Sequence, residues 1–273
     1  MMPWLAGAAA LGLGAWAVGL GGAALAQRRL IFKPPVRLRE LPPGPHAGGS
    51  RIEPLSLRCA DGELLQGWRS MPLHAPPQGW LLYFGGRGEN VAWAPQMSSY
   101  LGAWAVVAFN YRGFGGSTGR ASEALVMGDA LSVHASFMPP GATQVLMGRS
   151  LGTSVALRLA TEVAPQALVL VSPFVSLVHL ARTRVLTAPG AWMLRHRLDS
   201  RPYAPRVACP SLVLLAEGDR RIPNQHSLDL AWRLGGPVQA FSVHGQSHRS
   251  LPRSVEAQQR VAAFVRSLGA TTA

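Results

Sequence analysis

From about residue 52 onward, short apolar runs alternate with longer amphipathic ones. The apolar runs fall at 80–84, 105–109, 144–147, 167–171, 212–215 and 238–243. They are continuously apolar rather than alternating, the pattern of strands in a parallel sheet covered on both faces. Helical periodicity lies between them, near 90–101, 121–137, 151–163 and 225–234, with a last helix at about 254–268. Strand–helix alternation of this kind predicts a single α/β domain. Ahead of it, Leu55, Leu57 and Cys59 alternate with polar residues, Asp61-Gly62 turns the chain, and 64–68 returns. That is the signature of an N-terminal hairpin. Residues 173–206 are longer than a simple connection needs.

The N-terminal stretch has a different pattern. Residues 4–26 carry no charge and consist mainly of Ala, Gly, Leu, Val and Trp. As a helix they would extend about 34 Å at ~1.5 Å per residue, against a hydrocarbon core of ~30 Å. One transmembrane helix is expected, with residues 1–27 as anchor, 28–51 as a Pro/Gly-rich tether and 52–273 as the folded domain. The alternative is a cleaved signal peptide, because Ala24-Leu25-Ala26 resembles a cleavage site. Against it, no basic residue precedes the run, and the run exceeds a usual signal core. Arg28, Arg29, Lys33, Arg37 and Arg39 come immediately after it, which places the domain on the cytoplasmic side. The cleavage-like site points to export, so the orientation is left open.

Composition narrows the function. In 273 residues the charged fraction is 14% and the hydrophobic fraction 48%. Ordinary soluble domains hold nearer ~25% charged residues. The net charge is +13, yet Lys33 is the sole lysine, which excludes a Walker A phosphate loop. The arginines are dispersed and no nucleic-acid fold motif appears, so a nucleic-acid partner is not expected. Cys59 and Cys209 form no CxxC, which leaves a thioredoxin-like motif, a Cys-rich zinc site and a disulfide framework unsupported.

The candidate chemistry starts from two Gly-x-Ser-x-Gly matches, at Ser117 and Ser150. A nucleophile elbow needs a strand that runs straight into a sharp turn and then a helix. The strand at 144–147 meets Gly148 directly and a helical pattern comes after Ser150, whereas a glycine-rich loop separates Ser117 from its strand. Ser150 is therefore the expected nucleophile. A serine hydroxyl needs a base, and the base a carboxylate to orient it. Of the acids Glu162, Asp199, Glu217, Asp219 and Asp229, only Glu217 and Asp219 come after a strand end, and Asp219 lies in the loop proper. Asp219 is chosen, with Glu217 in reserve. His248 sits in the loop after the last strand, while His244 is at the strand end and reads as a cap of it. A zinc site on this i, i+4 pair lacks the HExxH glutamate, so no metal or cofactor is expected. The oxyanion would take the backbone N–H of Leu151 and one from the loop Gly85-Gly86-Arg87-Gly88, either Arg87 or Gly86.

These stretches together resemble the α/β-hydrolase superfamily, in its membrane-anchored, lipase-like and acyl-thioesterase-like branch. The resemblance covers 52–268. It is carried by the run from Tyr83 to Asn90, the run from Asn110 to Ser117, Gly148-Arg149-Ser150-Leu151-Gly152, Glu217-Gly218-Asp219 with Ile222-Pro223, and the loop ending at His248. Gln27-Arg28-Arg29-Leu30-Ile31-Phe32 is similar to that branch as well. In relatives Gly85 is commonly His and Asn110 commonly Asp. The resemblance implies an α/β-hydrolase fold: a mostly parallel sheet with helices on both faces, an N-terminal hairpin and a cap. It supports Ser150, Asp219 and His248 at their matching positions and does not transfer a substrate, because this fold hosts many. With the N-terminal run, the expected function is a serine hydrolase cleaving an ester or thioester of an acyl chain at a membrane surface, without cofactor. The alternatives are a non-catalytic scaffold that binds a partner and an exported soluble esterase. In the cap, Phe174, Leu177, Leu180, Leu186, Trp192, Met193 and Leu194 accompany arginines 182, 184, 195, 197, 201 and 206. These read either as a solvated helical cap or as a basic, apolar cover facing anionic lipid headgroups.

Overall fold

The apolar runs become neighbouring strands of one sheet. The computed structural model describes residues 14–16, 18, 19, 21, 22, 26–35, 44–46, 49–183 and 188–269. Among these, the strands are β1 (Gly44–His46), β2 (Ser50–Arg58), β3 (Leu64–Pro72), β4 (Gly79–Phe84), β5 (Trp104–Phe109), β6 (Gln144–Arg149), β7 (Ala167–Val171), β8 (Ser211–Ala216) and β9 (Val238–Val243). Their order is β1-β2-β3-β5-β4-β6-β7-β8-β9. The first three are antiparallel, β3 joins β5 antiparallel, and every pairing from β5 to β9 is parallel. The helices are α1 (Ser98–Leu101), α2 (Glu123–Phe137), α3 (Leu151–Val163), α4 (Leu177–Arg182), α5 (Asn224–Ala231) and α6 (Val255–Gly269).

Strands β4 to β8 are buried at every position, as continuous apolar runs require. Alternate residues feed two cores. Leu82 and Leu146 face α2, α3 and α5 through Val126, Leu157 and Leu230. Leu81 and Val145 face α1 and α6 through Leu101, Val261 and Phe264. Each fully buried leucine or valine contributes about 1.5–3 kcal/mol. Strand β9 departs from the expected pattern: it is a half-exposed edge with a partner on one side only. The region expected as a helix from residue 90 is mostly a 3-10 stretch, Val91–Met97, and α1 adds a single turn before Gly102. Pro95 inside it lacks the N–H that a regular helix would use there.

The stretch from Asn110 to Ser117 is structural. Arg112 forks onto Asp129 of α2 through Nε at 2.8 Å and Nη2 at 2.7 Å, and also pairs with Asp61 of the hairpin turn. Asn110 Oδ1 accepts from Val91 N–H at 3.1 Å. Ser117, the second motif serine, is buried; its hydroxyl donates to the Asn110 carbonyl at 3.1 Å and accepts from Gln66 N–H at 2.9 Å. Ser117 closes a loop.

Most of the apolar run at 4–26 lies outside the described residues, as do 36–43 of the expected tether and Arg184 and Leu186 of the cap. Among the described residues no helix is long and apolar enough to cross a membrane. The end of the expected anchor and part of the expected tether are packed rather than free. Gln27 of the first and Phe32 of the second are buried, Phe32 within the main core. The Gln27 amide accepts from Arg195 N–H at 2.7 Å, and Phe32 meets the His196 ring edge-on at 5.5 Å. Strand β1 lies within the expected tether, and β2 already begins at Ser50.

Candidate active site

Parallel register assembles the site at one edge of the sheet. Phe84 pairs with Gly148, so the loop after β4 and the turn after β6 leave side by side. Ala216 pairs with Val243, so the loops after β8 and β9 do the same. Ligands of open α/β sheets bind at such carboxyl ends.

Strand β6 runs through Arg149 into Ser150, and α3 begins at Leu151. Ser150 has φ 50° and ψ −116°, a conformation that side-chain-bearing residues rarely adopt. The turn is tight enough to demand its glycines. A β-carbon on Gly148 would meet the Gly152 carbonyl carbon at 2.6 Å, and one on Gly152 would meet the Gly85 oxygen at 2.6 Å. The strained turn raises the Ser150 hydroxyl above the sheet and points it at the β9 loop.

His248 Nε2 lies 3.1 Å from Ser150 Oγ, and His248 Nδ1 lies 2.8 Å from Asp219 Oδ2. The other Asp219 oxygen accepts from the N–H groups of Arg221 and Ile222, both at 2.9 Å. Burial by itself would raise the Asp219 carboxyl, but bonds from His248 and these N–H groups hold it below its ordinary value. An ionised carboxylate only accepts, so Nδ1 carries a proton, and in the neutral imidazole Nε2 then presents a lone pair to the Ser150 hydroxyl. Such an arrangement can take the hydroxyl proton and direct the oxygen at an electrophile.

The alternatives left by the sequence separate here. Glu217 faces His244 at 3.2 Å in an exposed pair, remote from the relay. Its second oxygen accepts from Gly245 N–H at 3.1 Å. The Asp219 side chain is 1% exposed and that of Glu217 49%, so Asp219 is the carboxylate on the relay. Of the two oxyanion candidates in the β4 loop, Gly86 already donates its N–H to Glu89 Oε2 at 2.6 Å. The Gly86 carbonyl accepts from Glu89 N–H at 3.3 Å. Across the trans peptide the Arg87 N–H points opposite to that carbonyl, away from the turn. Arg87 and Leu151 both line the cleft beside Ser150. The Leu151 N–H belongs to the first turn of α3 and has no partner within the helix. A β-carbon on Gly85 would lie 2.6 Å from Val91 Cγ1, so a side chain there would require Val91 to shift.

The cleft above Ser150 is open and measures about 1720 Å³. Its lining includes the apolar side chains Leu30, Ile31, Phe174, Leu177, Leu180, Met193 and Leu194. It also includes the basic side chains Lys33, Arg87, Arg220, Arg221, Arg249 and Arg253. Among the described residues, none of the cap's arginines lines it, whereas Phe174, Leu177, Leu180, Met193 and Leu194 of the cap do. Trp192 of the cap is exposed, and Arg201 is paired with Asp199 at 2.6 Å. Among the described residues, no group of three metal-ligating side chains occurs. Sequence reasoning passed over two site residues, Glu89 and Arg149. The available signal was a charged residue at the end of an apolar strand, which must find a partner when buried.

Residues 75–202 match the Hydrolase_4 family model, described as serine aminopeptidase, S33. The chain is 30% identical over 237 residues to the uncharacterized protein Rv2307c of Mycobacterium tuberculosis, covering 81% of this chain and 80% of that protein. It is 31% identical over 156 residues to the lysophosphatidylserine lipase ABHD12 of Macaca fascicularis, covering 50% of this chain and 39% of that one. Among solved structures, the Pyrococcus furiosus esterase Pf2001 superposes with a TM-score of 0.63 at 15% identity, over 85% of this chain and 99% of that chain. Mouse alpha/beta hydrolase domain-containing protein 10 gives 0.63 at 19% identity, over 81% and 100%. At these identities the structural likeness speaks for the fold.

Proposed function

The chain belongs to the α/β-hydrolase superfamily, and we propose that it is a serine hydrolase cleaving an acyl ester or thioester at a membrane surface. The observation that carries this is the hydrogen-bonded chain from Ser150 through His248 to Asp219 at a strained strand-to-helix turn. In the proposed cycle Ser150 Oγ attacks the acyl carbonyl carbon while His248 Nε2 takes its proton. The oxyanion of the tetrahedral intermediate is held by the N–H groups of Leu151 and Arg87. His248 then gives the proton to the departing alcohol or thiol, and an acyl-serine remains. Water activated by the same imidazole releases the acid and restores Ser150. Asp219 stays ionised and holds the imidazole in the required tautomer.

The cleft lining favours an acyl substrate over a peptide amine. Among the described residues the only carboxylate lining it is Glu89, and that is occupied by four donors. No free acid is left there to hold the ammonium group that an aminopeptidase recognises. The apolar lining residues fit an acyl chain, and the arginines among the lining residues fit an anionic or strongly polar group of the same substrate. That a relative is a lysophosphatidylserine lipase and a structural neighbour an esterase agrees with this choice. The membrane setting is supported by the uncharged run at 4–26 and by the residues just after it, since Leu30 and Ile31 continue from that run into the cleft wall.

The test is a chain-length series of acyl esters and thioesters with wild type, Ser150→Ala and Ser117→Ala, together with a fluorophosphonate probe. Wild type and Ser117→Ala should turn over substrate and be labelled at Ser150. Ser150→Ala should lose ~10⁴–10⁶ in kcat and all labelling. A folded wild type that neither labels nor hydrolyses any member of the series would refute the reading in favour of a non-catalytic scaffold.

A further inference from the structure

Beside the relay lies a second polar network, most of it buried. The Glu89 side chain is 7% exposed and that of Arg149 10%, and Arg149 Nη1 donates to Glu89 Oε2 at 2.9 Å. Glu89 accepts three further bonds: Tyr83 Oη at 2.9 Å, Trp93 Nε1 at 2.8 Å and Gly86 N–H at 2.6 Å. Arg149, the residue just before the nucleophile, sends its other amine to the main-chain carbonyl of His248 at 2.8 Å. One ion pair thus touches three separate segments: the loop carrying Gly86 and Arg87, the elbow at Ser150, and the loop carrying His248.

Stability alone does not explain such a pair. A buried ion pair is often no more stabilising than apolar residues of similar volume in its place. What apolar residues cannot supply is direction. A carboxylate accepting from Gly86 N–H fixes the rotation of that peptide, and a guanidinium fork spans two acceptors in one plane. We infer that Glu89 and Arg149 are positioning residues, a buried strut that leaves the Arg87 N–H, and not that of Gly86, to meet the oxyanion and holds the His248 main chain in register with Ser150. The inference rests on the ester-hydrolase reading. Neither residue touches the reacting atoms. They act through Arg87 and His248.

Glu89→Gln keeps the shape but not the accepting capacity, because its NH₂ group would face donors. Arg149→Met keeps much of the volume and loses the fork. Either single change strands a buried charge and can destabilise the fold, so Glu89→Gln/Arg149→Met is the third variant: it removes both charges together. Each is assayed for kcat and KM on p-nitrophenyl butyrate, for inhibition by a trifluoromethyl ketone that forms a tetrahedral adduct, and for backbone hydrogen exchange. In the double variant kcat should fall roughly 10²–10³-fold, the loss of an aligned oxyanion donor, with KM changed by less than about threefold. The inhibitor should weaken by about the factor lost in kcat/KM. Exchange should quicken together at 85–90 and 247–250 in Arg149→Met.

A double variant that keeps wild-type kcat would overturn the inference and leave the pair a merely structural one. So would unchanged exchange at 247–250 in Arg149→Met, a result that does not depend on turnover. Failure of the hydrolase reading is separately visible, as a wild type that no fluorophosphonate labels. In that case exchange alone decides whether the strut couples the two loops.

Discussion

Ser150 occupies a backbone conformation that suits glycine, and this can be measured without any substrate. Its φ of 50° and ψ of −116° should cost a side-chain-bearing residue about 1–3 kcal/mol. Ser150→Ala and Ser150→Gly both remove the hydroxyl and its bond to His248, so that loss cancels between them. The two differ in three ways. Glycine relieves the strain, loses about 0.5–1 kcal/mol more backbone entropy on folding, and forfeits a half-buried methyl worth at most ~0.8 kcal/mol. For a strain of ~2 kcal/mol, the middle of that range, the balance leaves Ser150→Gly more stable than Ser150→Ala by roughly 0.5–1 kcal/mol. At ~2–4 °C per kcal/mol for chains of similar size, the melting difference should be about 1–4 °C. Gly128 is the control. It lies in α2, exposed, with nothing within 4 Å of an added β-carbon. There Gly128→Ala should stabilise by about 1 kcal/mol, the opposite sign. The assay is urea unfolding of all four proteins at pH 7, with fluorophosphonate labelling lost in both Ser150 variants. If Ser150→Ala unfolds at the same or higher urea than Ser150→Gly, the elbow is not strained as described.

The buried carboxylates set the acid limit of the fold. Burial alone would raise both Glu89 and Asp219; Arg149 and the Gly86 N–H lower the first, His248 and neighbouring N–H groups the second, and both end below their ordinary values. A carboxylate depressed in the folded state stabilises above its unfolded value of ~4, and that contribution is lost as pH falls through the folded value. The urea midpoint should therefore hold from pH 7 to about 5 and drop below ~4, with a shallower drop in Asp219→Asn; a wild-type midpoint unchanged down to pH 3 would contradict the assignment. Removing residues 1–25 should leave fold and short-ester turnover intact. Removing 1–35 also takes Phe32 out of the core and Gln27 off the cap. Loss of a buried phenylalanine costs about 3–5 kcal/mol, so the two truncations should differ in urea midpoint, and equal midpoints would mean the segment does not pack.

What could be read along the chain was whatever local pattern encodes. Continuous apolar runs marked β4 to β8, because strands buried on both faces have no position for a polar residue. The elbow was legible because strand, glycines, serine and helix are contiguous, and a turn that tight is specified by its own residues. Ser117 could be set aside on the same ground. The choice between Asp219 and Glu217 was decided in three dimensions. They stand two residues apart on one loop, and only the path of that loop decides which carboxylate meets a histidine 29 residues further on. The same holds for the Gly86 N–H, which is taken up by Glu89, and for Arg149, whose partners lie 60 and 99 residues away. Composition read 28–51 as a spacer, yet Phe32 is buried, because one aromatic ring with a cavity to fill outweighs the prolines around it. Periodicity reports what a segment does with its own backbone. The meeting of distant side chains depends on sheet register, which set the four loops at one edge and so made a site of them.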